Sequence, residues 1–455
     1  MNNKSEFLGT EDINKLLWKL STPAIIGLLV QAFYNLVDTL FVGRALGEQS
    51  VLGIAGVAVA FPLQMLMMAI SIGIGVGGSS VISRMLGSKD INKAEKTLGN
   101  VFAYTLILSI IFQILFFFNV DAVLNLFGAT SDNLPYAKEY SVVILQGAFA
   151  FTFGFVLNNL VRAEGNSKVA MNNMVFSGVL NIFLDAILMF GFGMGVKGAA
   201  LATVLAQLAG TLYLLHYYMS GKSPLKLELG NLVPQFPLIK EITLIGFGSF
   251  VMGASNSFMM LVLNNVLAVY GGDLSIAVFG VAIKLMMLIL MPIIGISHGL
   301  QPIVGYNFGA ENYARVNESV KKSLIVTTMF GLAGLILLSM FPGTFFSLFS
   351  TDADLISSGA SAMRIMVLAS PLIGINVIGT TLFQSVGKAR PSFFLSMCRQ
   401  ILFLIPLVIL LPYYFDLSGV WMASPLSDLF ASLLSMFFVL KEYQYFKHRV
   451  DGDYS

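Results

Sequence analysis

Three carboxylates lie clearly inside long apolar runs of this sequence: Asp38, Asp185 and Asp428. An ionised side chain at the centre of a bilayer costs about 3 kcal/mol on insertion scales, so such a group usually faces a bundle interior or a wet cavity. Asp38 does not stand alone. Gln31, Tyr34, Asn35 and Asp38 follow one another at i, i+3, i+4 and i+7, one face of a helix. Asn181 and Asp185 repeat the four-residue spacing further on, as do Thr203 and Gln207, and Asn158 and Asn159 close the apolar run between them. Two carboxylates joined by amides and a hydroxyl make an oxygen-rich cage. Such a cage suits Na⁺, or a proton shared by two acids whose like charges repel in a low dielectric. The plainer alternative is that these groups only tie helices together by hydrogen bonds. That serves for the amides and for Tyr34 as ordinary packing, but a carboxylate is a poor choice for a tie alone.

The elements that must carry these groups are membrane helices. Of 455 residues, 56% are hydrophobic and 11% charged, against roughly 25% charged in soluble domains. Apolar runs long enough to cross about 30 Å of hydrocarbon recur along the whole chain. They fall near 17–43, 52–78, 94–118, 139–160, 170–190, 197–217, 240–269, 275–302, 318–341, 360–384, 392–413 and 418–440. Their length and lack of alternation argue against strands, and backbone in lipid must satisfy its own hydrogen bonds, which leaves helices. The expected fold is an all-α polytopic membrane protein of twelve transmembrane helices in two six-helix lobes. With both termini inside, 21 Lys and Arg fall in cytoplasmic segments and three, Arg44, Lys138 and Lys197, outside. This orients the chain by the positive-inside rule. The first run is too long for a signal core and is expected to stay as a span.

The chain also repeats. Leu86–Asp90 matches Phe308–Asn312, Asn125–Phe127 matches Ser347–Phe349, and Gly165–Lys168 matches Gly387–Arg390, all at an offset of 222 residues. Val196–Gly198 against Leu417–Gly419 differs by one. A duplicated six-helix unit accounts for this, with its two copies related by a pseudo-two-fold along the membrane normal, and transporters so built bind substrate between their halves. The expected domains are residues 1–219 and 237–455, joined by a polar cytoplasmic linker at 220–236. The halves differ in charge: the images of Asp38 and Asp185 fall near 260–262 and 407, where the residues are apolar. The coupling site therefore belongs to the first half alone.

Other residues carry weaker signals. Lys284 is a base within the eighth span, able to neutralise a carboxylate or to snorkel to an interface. Asp428 has a structural partner in Arg399, and His298 reads as a hydrogen-bonding residue near a span end. Pro23 interrupts the first span and can kink it. The 23 Met and 38 Phe residues suit promiscuous apolar contacts, and aromatic faces attract organic cations. Most of them face lipid or pack helices; Phe33, Phe151, Phe155, Met171 and Met260 are candidate lining residues. The lone Cys398 allows no internal disulfide and reads as a small core residue. No phosphate-binding Gly-Lys-Ser/Thr loop, zinc-protease motif or nucleophile elbow is present, so the chain reads as neither an ATPase nor another enzyme. The net charge of +2 gives no reason to expect a nucleic acid.

The sequence resembles the multidrug and toxic compound extrusion (MATE) transporters. It is most similar to the prokaryotic branch with the DNA-damage-inducible efflux proteins and the staphylococcal multidrug exporters. The resemblance rests on Pro23, the stretch Gln31–Gly43, Asn181–Asp185, Gly198–Thr203, Gln301–Ala310 and Arg399-Gln400. It implies two lobes about a central cleft, and export of small amphipathic or cationic compounds driven by inward H⁺ or Na⁺. It also implies a cation site at Asp38, Asn181, Asp185, Thr203 and the fourth-span Asn158, with Gln31, Tyr34, Asn35, Gln207, Lys284 and Met260 as cleft candidates and Pro23 as a conformational residue. No other cofactor is expected. The expected partners are the lipid bilayer of a prokaryotic cell membrane and the exported drugs, and nothing requires more than a monomer. A lipid-linked oligosaccharide flippase of the same superfamily is the second reading; it would need a cleft rich in basic residues, and Lys284 is the one base well inside a span.

Overall fold

The computed structural model describes residues 5–45 and 50–451. Residues 1–4, 46–49 and 452–455, where the outer limits of the two expected domains fall, lie outside the described residues. All regular structure among the described residues is helical. The spans are α1 (Ile13–Ala45), α2 (Ser50–Gly87), α3 (Ile91–Phe117), α4a and α4b (Leu134–Gln146 and Ala148–Ala163), α5 (Ser167–Asp185) and α6 (Gly195–Met219). They continue as α7 (Phe236–Gly272), α8 (Leu274–Gly309), α9 (Tyr313–Met340), α10a and α10b (Ala353–Met366 and Ser370–Ser385), α11 (Ala389–Leu410) and α12 (Pro412–Asp451). Ten are long and apolar enough to cross a bilayer singly, and α4 and α10 each cross as a bent pair, which gives the twelve expected. Each expected span meets one of these helices. The helices overrun the apolar windows at many ends because a helix continues into the interface until a cap or a glycine stops it.

The duplication reaches the backbone. Lys89 and Glu311 hold φ of 61° and 57°, left-handed values at image positions. The next residues, Asp90 and Asn312, cap α3 and α9 by accepting from the amides of Lys93 and Arg315. Gly165 and Gly387 both have positive φ. The bends of 56° in α4 and 52° in α10 precede Ala148 and Ser370, again 222 residues apart. At the shifted offset, Gly195 and Asp416 have φ of 54° and 48°.

The helices gather into two compact units. Unit 1 holds Met1–Phe7 and Ile26–Gly253; unit 2 holds Leu8–Ile25 and Ala254–Ser455. The leading helix of each half therefore begins among the helices of the other half. Glycines make room for it. In unit 1, a Cβ on Gly246 of α7 would lie 1.9 Å from the Gly73 carbonyl, and one on Gly77 would lie 2.1 Å from that of Ile242. In unit 2, Gly295 and Gly299 of α8 admit Ile25 and Ser21 of α1 in the same way. Gly73 and Gly77 are the images of Gly295 and Gly299, so one small-residue seam, spaced by four, serves both units. Pro23 sits two residues before α1 leaves unit 2.

Unit 1 packs its core from Leu63, Met67, Leu124, Leu145 and Ala199; unit 2 packs around Leu267, Val278, Ile293, Phe346 and Met363. Apolar residues left exposed, such as Ile110, Ile111 and Ile114 on α3, suit a lipid surround. Residues 220–236, the expected linker, are strapped to unit 1. Ser223 donates to buried Glu164, the Lys226 amide donates to Glu95, and the Gln235 amide donates to Asn100. At the start of α1, Asp12 accepts from the amides of Lys15 and Asn14. The bond from Lys15 is the largest influence holding its carboxyl below the usual value.

Candidate cation site in unit 1

The expected face of α1 meets α5 closely because two glycines let it. A Cβ on Gly178 of α5 would lie 3.0 Å from the Tyr34 ring, and one on Gly27 of α1 would lie 2.7 Å from Met174 Sδ. This contact brings Asp38 near the end of α5, where Asp185 is fully buried and Asn181 is 3% exposed. Asp38 and Asp185 lie within electrostatic reach of each other, and Tyr34 and Tyr140 lie within reach of Asp38. Helical geometry changes at the site. The backbone passes from α5 into a π-helical turn, Ala186–Gly191, immediately after Asp185. Single π turns inside α-helices occur often at functional positions, since they free carbonyls and re-aim side chains.

The polar atoms here are under-satisfied by the protein. Asp38 Oδ1, both oxygens of Asp185 and both side-chain polar atoms of Asn181 are buried without a hydrogen-bond partner among the described residues. Leaving a buried polar group unpaired costs about 1–3 kcal/mol, more when charged. Five such atoms on neighbouring stretches of α1 and α5 make this a candidate cation site. Two carboxylates and an amide oxygen fit a bound Na⁺ or a shared proton equally. Thr203 stands half-buried on α6, near the same end of its helix.

Sequence reasoning missed two members of this neighbourhood. Tyr140 of α4a is 3% exposed, lies within electrostatic reach of both carboxylates, and its hydroxyl accepts from Gln64 of α2 at 3.1 Å. That acceptance leaves the tyrosine proton free to donate. Gln64 was visible as an amide within an apolar run, but nothing in its spacing ties it to Asp38.

Other expected residues fall elsewhere. Asn158 donates to the Ala170 carbonyl at 3.0 Å. Ala170 is 15 residues before Asp185 on α5, about 22 Å along the helix. Asn158 thus sits toward the other end of α5 from the carboxylate pair. Gln207 points toward Gly154 of α4b, and Gln31 is half-buried and Asn35 exposed on α1. In unit 2, Lys284 is exposed and joins no ion pair among the described residues, and Met260 is 39% exposed. Arg399 is paired with buried Asp428, as its sequence position suggested, and neighbouring Gln400 donates to Asn256 at 2.7 Å.

Known proteins share this architecture. The chain is 27% identical over 426 residues, 93% of each chain, to the multidrug export protein MepA of Staphylococcus saprophyticus. It is 28% identical over the same extent to that of Staphylococcus aureus. Among solved structures, it superimposes with a TM-score of 0.89 and 42% identity on the MATE multidrug transporter DinF-BH, covering 96% of this chain and 98% of that one. A MATE structure in complex with MaL6 gives a TM-score of 0.92 at 28% identity, covering 98% and 99%. The MatE family model matches residues 23–187 and 249–410, one stretch in each repeat, and the chain belongs to that family.

Proposed function

We propose that this protein is a secondary antiporter that exports small amphipathic or cationic organic compounds from the cell against inward H⁺ or Na⁺. The observation that carries the coupling half of this reading is the pair of carboxylates in unit 1, within electrostatic reach of each other, with Asp38 Oδ1 and both Asp185 oxygens buried without a partner among the described residues. Protonation or Na⁺ binding would lower the negative charge of the pair, and a change of charge at the junction of α1 and α5 is a direct way to bias α1. Pro23 removes one backbone hydrogen bond from α1 close to where the helix passes between units, which makes it the natural bending point. The export half is supported by the relatives that the chain matches over nearly its full length, two named as multidrug export proteins and one as a multidrug transporter. The charge bias of the loops supports a cell-membrane location with both termini cytoplasmic. A flippase for a pyrophosphate-linked lipid is not favoured, since no basic cluster gathers inside the spans among the described residues.

The test is efflux of a fluorescent organic cation from proteoliposomes under an imposed pH gradient, an imposed Na⁺ gradient, or neither. The expected result is efflux driven by at least one gradient and absent without one. Correctly inserted protein that moves no cation under either gradient overturns the reading.

A further inference from the structure

The stripe on α5 that ends at Asp185 is longer than the cation site requires. Asn173, Ser177, Asn181 and Asp185 follow at intervals of four residues and are 5%, 8%, 3% and 0% exposed. The opposite face of the same helix carries Asn172, Phe176, Val179 and Phe183, all exposed. Ties between membrane helices are made by hydrogen bonds across the interface. These side chains do not behave as ties: Asn173 Oδ1, both polar atoms of Asn181 and both oxygens of Asp185 have no partner among the described residues. The neighbouring helix packs closely on the stripe: a Cβ on Gly210 of α6 would lie 2.2 Å from Ser177 Oγ and 2.9 Å from Asn173 Oδ1, so glycine there is what makes room for both side chains. At the lower end stands Asn158, whose amide donates to the Ala170 carbonyl.

We infer that this stripe is the route by which the coupling cation, H⁺ or hydrated Na⁺, passes between Asp185 and the cytoplasmic end of unit 1. The inference rests on the cation-coupled reading above. Each step of four residues rises about 6 Å, which one water making two hydrogen bonds of about 2.8 Å spans. The stripe from Asp185 to Asn173 covers about 18 Å, more than half of the hydrocarbon thickness. Four residues turn about 400°, so the stripe winds by roughly 40° per step and meets α6 at Ser177 and Asn173. Asn158 then belongs at the mouth of the route and not in the cage beside Asp185.

The test compares Asn173→Leu, Ser177→Val and Gly210→Ala with Asn172→Leu on the exposed face, all in proteoliposomes. Two fluxes are measured: gradient-driven efflux of a fluorescent cation, and exchange of labelled for unlabelled cation at zero gradient. Exchange needs no passage of the coupling ion. The three stripe variants are expected to lose at least tenfold in driven efflux while exchange stays within about twofold of wild type, and Asn173→Gln is expected to restore most of the driven rate. Asn172→Leu is expected to match wild type in both fluxes. Driven efflux undiminished in the stripe variants overturns the route alone. Equal loss of both fluxes in all three also overturns it, since the stripe would then be structural. No driven efflux in wild type overturns the coupling reading, and the route with it.

Discussion

The ion pair of unit 2 offers a quantitative test of which buried charges belong to coupling and which to the fold. The Asp428 side chain is 1% exposed and that of Arg399 is 26% exposed. The other Asp428 oxygen is buried without a partner among the described residues. Removing one member of a buried pair strands the other and costs about 3–5 kcal/mol, whereas replacing both by apolar residues is close to neutral. Because Arg399 is partly exposed, the lower end applies: Arg399→Met alone and Asp428→Leu alone are each expected to cost about 3 kcal/mol, roughly a hundredfold in the folded-to-unfolded ratio. The double variant is expected to lose about 1 kcal/mol, leaving a coupling energy of several kcal/mol between the sites. The assay is reversible unfolding in mixed micelles titrated with SDS, followed by tryptophan emission. Both tryptophans, Trp18 and Trp421, belong to unit 2, so the signal reports the unit that is perturbed. The folded double variant is expected to keep gradient-driven efflux. Additive single losses would refute the argument from the stranded charge, and loss of driven transport in a stable double variant would refute the assignment of coupling to unit 1.

Two further predictions concern the repeated seams and turns. Gly246→Ala sets a Cβ against the Gly73 carbonyl, with backbone on both sides, and is expected to lower the thermal midpoint strongly in a fluorescence-monitored melt. Gly280→Ala, with no other atom within 4 Å, is expected to be neutral or to gain up to about 1 kcal/mol from helix propensity. Equal stability of the two variants would contradict the close approach of α2 and α7. Lys89→Gly and Glu311→Gly relieve left-handed backbone at image positions, and each is expected to stabilise by about 1 kcal/mol, additively, in the same melt. A destabilising effect at either position would contradict the duplicated turn.

The legible part of the molecule was the part written in hydrophobicity and charge. All twelve spans were readable because each apolar run must cross the same thickness, and Asp38 and Asp185 stood out because carboxylates in such runs are rare. The buried stripe was half-legible. The four-residue spacing continues from Asp185 back to Asn173, but Asn and Ser inside spans so often serve as ties that two steps drew no attention. Asn158 was misjudged through depth. It lies five residues from the end of α4b at Ala163, while Asp185 lies 18 residues into α5, and the two helices join at that end. Counting rise from the loop would have set the two residues at different levels. Gln64 and Tyr140 were not readable, since the bond between them and the approach of Tyr140 to Asp38 depend on which helices touch. Nor was the exchange of leading helices between units. Among 43 glycines, Gly73, Gly77, Gly246, Gly295 and Gly299 carry no mark of the backbone contacts they admit.

The most direct test of the central claim is gradient-driven efflux of a fluorescent cation by Asp38→Asn and Asp185→Asn in proteoliposomes, with the unfolding profile measured alongside. Each amide keeps the shape of the carboxylate and removes its charge. Both variants are expected to fold as wild type and to lose gradient-driven efflux entirely. Driven efflux surviving in either folded variant would contradict a coupling site built on this pair.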